Sequence, residues 1–149
     1  MRAVVQLARR ARVEVDGEVV GRIDRGLVAF VGAARGDTDA DLAYTVNKVV
    51  LLRVFPDDTG RMSRSLADVG GALLVVSQFT LFGDVRRGLR PGFDEAMEPV
   101  EAERLVARFV EAARARGVRV ETGRFRADMA VFVENDGPVT ILVDSRKLF

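Results

Sequence analysis

The sequence predicts a single mixed α/β domain with a largely antiparallel, barrel-like sheet and two main helices. Runs of strand length that are apolar or alternating outnumber the stretches with helical spacing. The chain has 149 residues, of which 48% are hydrophobic, which is the size of one ordinary domain with one core. It contains no repeat, low-complexity tract or interdomain linker, so residues 1–149 are expected to fold as one unit.

The predicted strands are short segments that are either apolar throughout or alternate between apolar and polar residues. They cover residues 2–8, 13–20, 27–32, 72–76, 118–121, 130–133 and 139–143. The second of them contains the turn signal Asp16-Gly17. Ala72 to Val76 is the most hydrophobic stretch of the chain, and it is expected to form a central buried strand.

Two helices are predicted from apolar stripes at helical spacing. Thr38 with Asp41 three residues later is a capping pattern, and the stripe that follows continues until Pro56. The second helix begins at Pro99 and ends at Gly117. Residues 61–68 are expected to be irregular, and residues 82–97, rich in Gly, Arg and Pro, a long loop of the kind that binds ligands.

Composition excludes several kinds of chemistry. The chain has no cysteine and no histidine, which rules out disulfides, thiolate zinc sites, imidazole ligands and the usual general base. Asp84, Asp94, Glu95 and Glu98 lack the spacing of a carboxylate metal site, so we predict no metal and no cofactor. No apolar run is long enough to cross a membrane, and no signal peptide precedes Arg9, so a cytoplasmic protein is expected.

Polar residues follow the buried strand directly, in the sequence Ser77-Gln78-Phe79-Thr80. Alternation would place Ser77 and Phe79 on one face and Gln78 and Thr80 on the other. Thr80 can act as a nucleophile only if a base takes its proton. Alternatively, Thr80 and Gln78 position a substrate while backbone N–H groups stabilise an oxyanion. In a third interpretation, the hydroxyls only form hydrogen bonds with neighbouring backbone groups where the strand ends.

Two further segments are candidates for binding. The loop Arg86 to Phe93 mixes arginine, glycine and an aromatic ring, as a clamp for a nucleotide end would, although the net charge of +1 does not indicate nucleic acid. Asn135 to Thr140 contains Gly137-Pro138 between two apolar runs. The segment is either a hairpin turn at Asp136-Gly137 or a functional element whose backbone carbonyls point to one side.

Together, Ser77 to Leu81 and Asn135 to Thr140 resemble the two signature motifs of the D-aminoacyl-tRNA deacylases. Further stretches share the resemblance, which covers essentially the whole chain: Met1 to Gln6, Val15 to Gly21, Asp68 to Gly71, Arg90-Pro91, Val120 to Phe125 and Ala127 to Met129.

The resemblance implies an enzyme that hydrolyses the ester between a D-amino acid and the 3′-terminal adenosine of tRNA, with glycyl-tRNA mischarged on the alanine tRNA as a second substrate. It implies a homodimer with shared active sites, in which a cis Gly137-Pro138 peptide enters the partner's site and excludes L-amino acids. Matching motifs assigns catalysis to Ser77, Gln78, Phe79 and Thr80, and substrate binding to Gly137, Pro138, Met129 and Thr140.

The resemblance leaves two mechanisms open, because either Thr80 acts directly or the 2′-hydroxyl of the terminal ribose activates the attacking water. Three positions depart from the family pattern: Leu7 and Gly92 replace an arginine and a serine, and Arg126 replaces a glycine. The resemblance implies that the family's arginine at the position of Leu7 holds the Gly-Pro loop. Arg9 lies on the same side of the strand by alternation and is the expected substitute. The alternative function is therefore a non-catalytic, tRNA-binding homodimer with a drifted pocket.

Overall fold

The computed structural model describes all 149 residues and contains one six-stranded sheet, one two-stranded sheet and three α-helices. The strands are β1 (Arg2–Val15), β2 (Glu18–Ile23), β3 (Gly26–Gly32), β4 (Phe55–Pro56), β5 (Met62–Arg64), β6 (Ala72–Ser77), β7 (Arg119–Thr122) and β8 (Ala130–Asp144). The helices are α1 (Asp39–Val50), α2 (Leu66–Val69) and α3 (Pro99–Arg114), together with a 3₁₀ helix at Phe79–Phe82.

The main sheet has the strand order β2-β1-β3-β6-β7, with β8 also paired to β1. Strand β1 is antiparallel to β2, β3 and β8, whereas β6 runs parallel to both β3 and β7. Gly21 on β2 lies so close to β7 that an added Cβ would overlap the carbonyl oxygen of Thr122. The two ends of the sheet therefore meet, and the predicted barrel-like α/β fold is confirmed.

The first strand is longer than predicted. Residues 2–8 and 13–20 were expected to be separate strands, but β1 is continuous to Val15, and the predicted turn at Asp16-Gly17 instead separates β1 from β2. Arg9 and Arg10 occupy exposed positions beside the buried Ala8 and Ala11. The two arginines interrupt the apolar pattern of the sequence, but they do not end the strand, because an exposed charged side chain does not disturb backbone pairing.

The last strand shows that a second prediction, a hairpin at Asp136-Gly137, was wrong. Segments 130–133 and 139–143 were interpreted as two strands that a hairpin at Asp136-Gly137 could join, yet both pair with the same strand, β1. Gln6 is opposite Thr140 and Ala8 is opposite Asn135, so the residues from Asp136 to Val139 face Leu7 alone. This segment is a large bulge within one strand, because the chain continues in the same direction after it.

The helices agree with the predicted positions, and the segment between them does not. The capping box of Thr38 and Asp41 begins α1, which ends at Val50 before Pro56 is reached. Residues 61–68 were expected to be irregular, but they contain β5 and the start of α2. Ser65 and Asp68 form a second capping box, a pattern that was visible in the sequence.

The core lies between the main sheet and the two long helices. From α3 it contains Leu105, Phe109 and Ala113, each at least nine-tenths buried. Val46 and Val49 of α1 belong to the same cluster, together with inward-facing residues of β1, β3 and β6. The helices thus cover one face of the sheet. No helix is both long and apolar enough to span a membrane.

Asp41 connects α1 to the end of the chain and generates a prediction about pH. Its pKa is lowered from 3.8 to about 2, first by the hydrogen bond from Ser145 and then by that from the Thr38 backbone. The ionised form is therefore favoured in the folded state, and its stabilisation is present above pH 3.8 and lost as the pH falls through about 2.

We expect Asp41→Asn to lower the free energy of unfolding at pH 7 by about 1 kcal/mol, which is the typical cost of losing a capping interaction at the start of a helix. Urea denaturation should show the difference from wild type shrinking between about pH 4 and pH 2. Asp24→Asn, at an exposed aspartate without an ion pair, is the control. A constant difference over that range would contradict the assignment.

Candidate active site

The polar motif after the central strand forms a 3₁₀ helix. Strand β6 ends at Ser77, and the 3₁₀ helix begins at Phe79. Between them, the backbone N–H of Gln78 donates to the Val31 carbonyl at 2.8 Å. Gly32 lets the two strand ends approach, because a Cβ there would lie 2.8 Å from the Gln78 carbonyl oxygen. The predicted alternation is wrong, since the strand ends too early for it, and Phe79 and Thr80 are both exposed.

The side chains of this motif hold one another in place. The Gln78 side-chain amide donates to the Thr80 hydroxyl oxygen, so the Thr80 proton is free to be donated to a ligand. No carboxylate accepts that proton in the subunit, and an amide is not a base. Phe79 meets Phe93 edge to face, with centroids 5.0 Å apart. The arrangement is suited to orienting a ligand more than to activating Thr80 for attack.

Arg2 fastens the 3₁₀ helix to the sheet, a role that the sequence did not reveal. Its guanidinium donates to the Leu81 carbonyl at 3.0 Å and to Asp144 at 3.2 Å, and it stacks over the Phe82 ring at 4.7 Å. Arg2 and Asp144 are partners in the pairing of β1 with β8, and Asp144 is buried. The contact depends on that register, which local sequence patterns do not define.

An apolar cavity of about 610 Å³ opens beside the motif, at the carboxyl ends of the parallel strands β3 and β6. Of the predicted site residues, it brings together Ser77, Gln78, Phe79 and Met129, while Thr80 is exposed next to Phe79. Its other walls come from β3, from the loop before α3, from the start of α3 and from the segment before β8, and include Gly32, Phe93, Met97, Pro99, Ala102, Phe125 and Arg126. The sequence analysis did not predict that the start of α3 lines the cavity. The position of this helix directly after a predicted binding loop could have indicated it.

The remaining predicted residues lie elsewhere in the subunit. Gly137, Pro138 and Thr140 do not line the cavity, and all three are exposed. Thr140 lies on β8, which is three strand positions from β6 through β1 and β3, or roughly 14 Å across the sheet. A single subunit therefore does not bring the two motifs into one site.

The Gly-Pro bulge is fastened by its own first residues. The Gly137–Pro138 peptide is cis, and Gly137 has a φ of 110°. The Asn135 side chain donates to the Leu7 and Val139 carbonyls, both at 2.9 Å, and so closes the bulge across its base. Leu7 is buried and contributes only its backbone, while Arg9 pairs with Asp136 at 3.0 Å. Arg9 thus holds the bulge although its side chain, unlike that of Leu7, is exposed.

The arginine-rich loop forms a second cavity, of about 600 Å³, beyond Phe82. Arg86 is paired with Asp84 at 2.6 Å and lowers the pKa of that carboxyl group, whereas Arg87 and Arg90 have no ion-pair partner. Glu98 is paired with Arg35 at 2.7 Å. No group of three or more acidic side chains is arranged to hold a metal ion. That the loop clamps a nucleotide end stays a prediction.

An apolar cavity at the end of buried strands, with hydroxyl and amide groups at its rim, is typical of an enzyme that binds an organic substrate. Comparison with known proteins defines the family. The model of the family described as D-Tyr-tRNA(Tyr) deacylase matches residues 4–144. The chain therefore belongs to this family, as its resemblance had predicted.

Relatives match over their full length. The D-aminoacyl-tRNA deacylase of Sorangium cellulosum is 71% identical, with all of both chains covered. That of Symbiobacterium thermophilum is 58% identical over 100% of this chain and 99% of its own. Among solved structures, the c-Myc DNA Unwinding Element Binding Protein has a TM-score of 0.91 at 40% identity, covering 97% of this chain and 98% of that one.

The fastening of the bulge can be tested by two substitutions in neighbouring residues. Asn135→Ala leaves the Leu7 and Val139 carbonyls without their donor, and we expect it to lower the free energy of unfolding by about 2 kcal/mol. Asp136→Ala removes only the solvent-exposed pair with Arg9 and should cost about 0.5 kcal/mol or less. Urea denaturation of both variants measures the two costs. Equal costs would contradict the structural role of Asn135.

Proposed function

We propose that the protein hydrolyses the ester bond of D-aminoacyl-tRNA and releases the free D-amino acid and tRNA. The observation that carries the proposal is the Ser77-Gln78-Phe79-Thr80 motif at the rim of an apolar cavity, in a chain whose full-length relatives are named D-aminoacyl-tRNA deacylases. The non-catalytic alternative is not favoured, because Gln78 still orients Thr80 and the departures at Leu7, Gly92 and Arg126 leave the cavity open.

We further propose that two copies share each active site. Gly137 and Pro138 are exposed and lie away from the cavity of their own subunit, so they are available to a second copy. Apolar side chains flank them on the outer face of β8, where Phe132 is 42% and Leu142 57% exposed, and Phe79 is 56% exposed at the rim. A second subunit would cover these surfaces and carry its own bulge into the cavity.

Selection of the D form then follows from backbone geometry. A rigid bulge, fastened by Asn135, would present the carbonyls of Gly137 and Pro138 to the α-amino group, and an L side chain would collide with it. Glycyl-tRNA mischarged on the alanine tRNA has no side chain to exclude, and is proposed as a second substrate. Met129 and Thr140 would complete the binding surface, and the reaction would take place in the cytoplasm.

Hydrolysis requires a water molecule, an activating group and stabilisation of an oxyanion. The first amides of the 3₁₀ helix at Phe79–Phe82 lack partners within the helix and lie beside the cavity, so they are suited to bind the oxyanion. Because Thr80 has no base, we favour activation of the water by the 2′-hydroxyl of the terminal ribose. Thr80, Gln78 and Ser77 would orient the ester for that attack.

The function is tested by incubating the protein with D-tyrosyl-tRNA and with L-tyrosyl-tRNA and measuring the remaining aminoacyl-tRNA. We expect the D ester to be hydrolysed faster by about a hundredfold or more, because steric exclusion by backbone rejects one enantiomer strongly. A chelator should leave the rate unchanged, since no acidic cluster is suited to a metal. Equal hydrolysis of both enantiomers, or of neither, would refute the proposal.

The two mechanisms make different predictions for Thr80. If Thr80 orients, Thr80→Ala should lower kcat by about tenfold, whereas a tRNA ending in 2′-deoxyadenosine should lose about 100- to 10,000-fold. If Thr80 is the nucleophile, Thr80→Ala should abolish turnover and the 2′-deoxy substrate should react normally. Single-turnover kinetics with Thr80→Ser as the matched control separates the two cases.

A further inference from the structure

Arg126 provides the free positive charge of the cavity. The charged residues that line the cavity are Arg35, Glu98 and Arg126. Arg35 donates to the Glu98 carboxylate at 2.7 Å and to the Ala96 carbonyl at 3.2 Å, so these two charges neutralise each other. Arg126 is an exposed residue, and its guanidinium makes no hydrogen bond or ion pair within the subunit. The cavity therefore carries one unbalanced positive charge at its wall.

The backbone conformation of Arg126 is one that glycine adopts more readily than arginine. Its φ is 61°, in the left-handed region, where a residue with a Cβ is disfavoured and glycine is not. The side chain makes no hydrogen bond or ion pair within the subunit that would offset this cost. Residues held in such conformations are concentrated at sites that bind ligands.

The chemistry of an aminoacyl ester limits what this guanidinium can bind. The carboxyl group of the amino acid is esterified and carries no negative charge, while its α-ammonium group would be repelled. The nearest anion in the substrate is the 5′-phosphate of the same terminal nucleotide, and guanidinium binds phosphate oxygens through two parallel hydrogen bonds. A cavity of about 610 Å³ has room for a nucleoside with its aminoacyl group.

We propose that Arg126 binds the 5′-phosphate of the terminal nucleotide and so makes the enzyme select a nucleotide ester over a nucleoside ester. This inference rests on the proposed function, because it assumes that the ester lies beside Ser77 to Thr80. Arg126 then contributes to the binding of RNA and takes no part in the hydrolytic step. Its contribution belongs in KM, since a phosphate contact is the same before and during hydrolysis.

A minimal pair of substrates isolates that phosphate: 3′-O-D-tyrosyl adenosine and its 5′-monophosphate. Arg126→Ala keeps the Cβ and removes the charge. Arg126→Lys keeps a positive charge but loses the paired N–H donors of the planar guanidinium. Arg124→Ala is the matched control, because Arg124 is an exposed arginine in the same segment that neither pairs with a carboxylate nor lines the cavity.

We expect Arg126→Ala to raise the KM for the monophosphate ester and for D-tyrosyl-tRNA by about tenfold, with kcat within about twofold of wild type. The adenosine ester should show no comparable increase. Arg126→Lys should fall between wild type and Arg126→Ala, and Arg124→Ala should match wild type. Arg126→Gly should raise KM in the same way while raising Tm by about 2–4 °C, because it also removes the left-handed strain.

Several results would overturn the inference. Arg126→Ala matching Arg124→Ala would exclude the contact, and equal losses on the adenosine and monophosphate esters would exclude the phosphate as its target. A fall in kcat without a change in KM would assign Arg126 to positioning of the reacting groups or of a second subunit. If the wild-type protein hydrolyses none of these D esters, the proposed function fails and this inference fails with it, whereas hydrolysis without phosphate dependence removes this inference alone.

Discussion

The pairing of β1 with β8 is the constraint on which the rest of the structure depends. It runs along almost the whole of both strands, and it is interrupted where Leu7 faces the residues from Asp136 to Val139. The Asn135 amide replaces the missing ladder bonds at that point by donating to both flanking carbonyls. Because pairing resumes at Gln6 and Thr140, the Gly-Pro bulge is held at both ends and projects from a rigid sheet.

The same pairing also supports the candidate catalytic motif. Arg2 begins β1, pairs with Asp144 at the end of β8, and donates to Leu81 within the 3₁₀ helix. The pairing of β1 with β8 thus supports both motifs. The two motifs nevertheless remain apart in the subunit, which is why a shared site between two copies is the arrangement that their positions favour.

The departures from the family pattern have separate physical consequences. Leu7 contributes its carbonyl to Asn135, so the lost arginine does not leave the bulge unsupported, and Arg9 adds an exposed ion pair to Asp136. Arg126 is different, because its left-handed backbone costs about 1 kcal/mol relative to an unstrained residue. Under the proposed phosphate contact, binding of the substrate would offset this cost.

The sequence by itself predicted the fold class, both long helices and the central strand from Ala72 to Val76, because periodicity, capping and turn chemistry are local properties. The two motifs were identified by their resemblance to a known family. It did not determine that β1 continues through Arg9 and Arg10, or that Asn135 to Thr140 forms a bulge in place of a hairpin. Those features depend on register between strands more than 100 residues apart in the chain, which only tertiary pairing decides. For the same reason, the contacts of Arg2 and Asn135 became visible only in the folded chain.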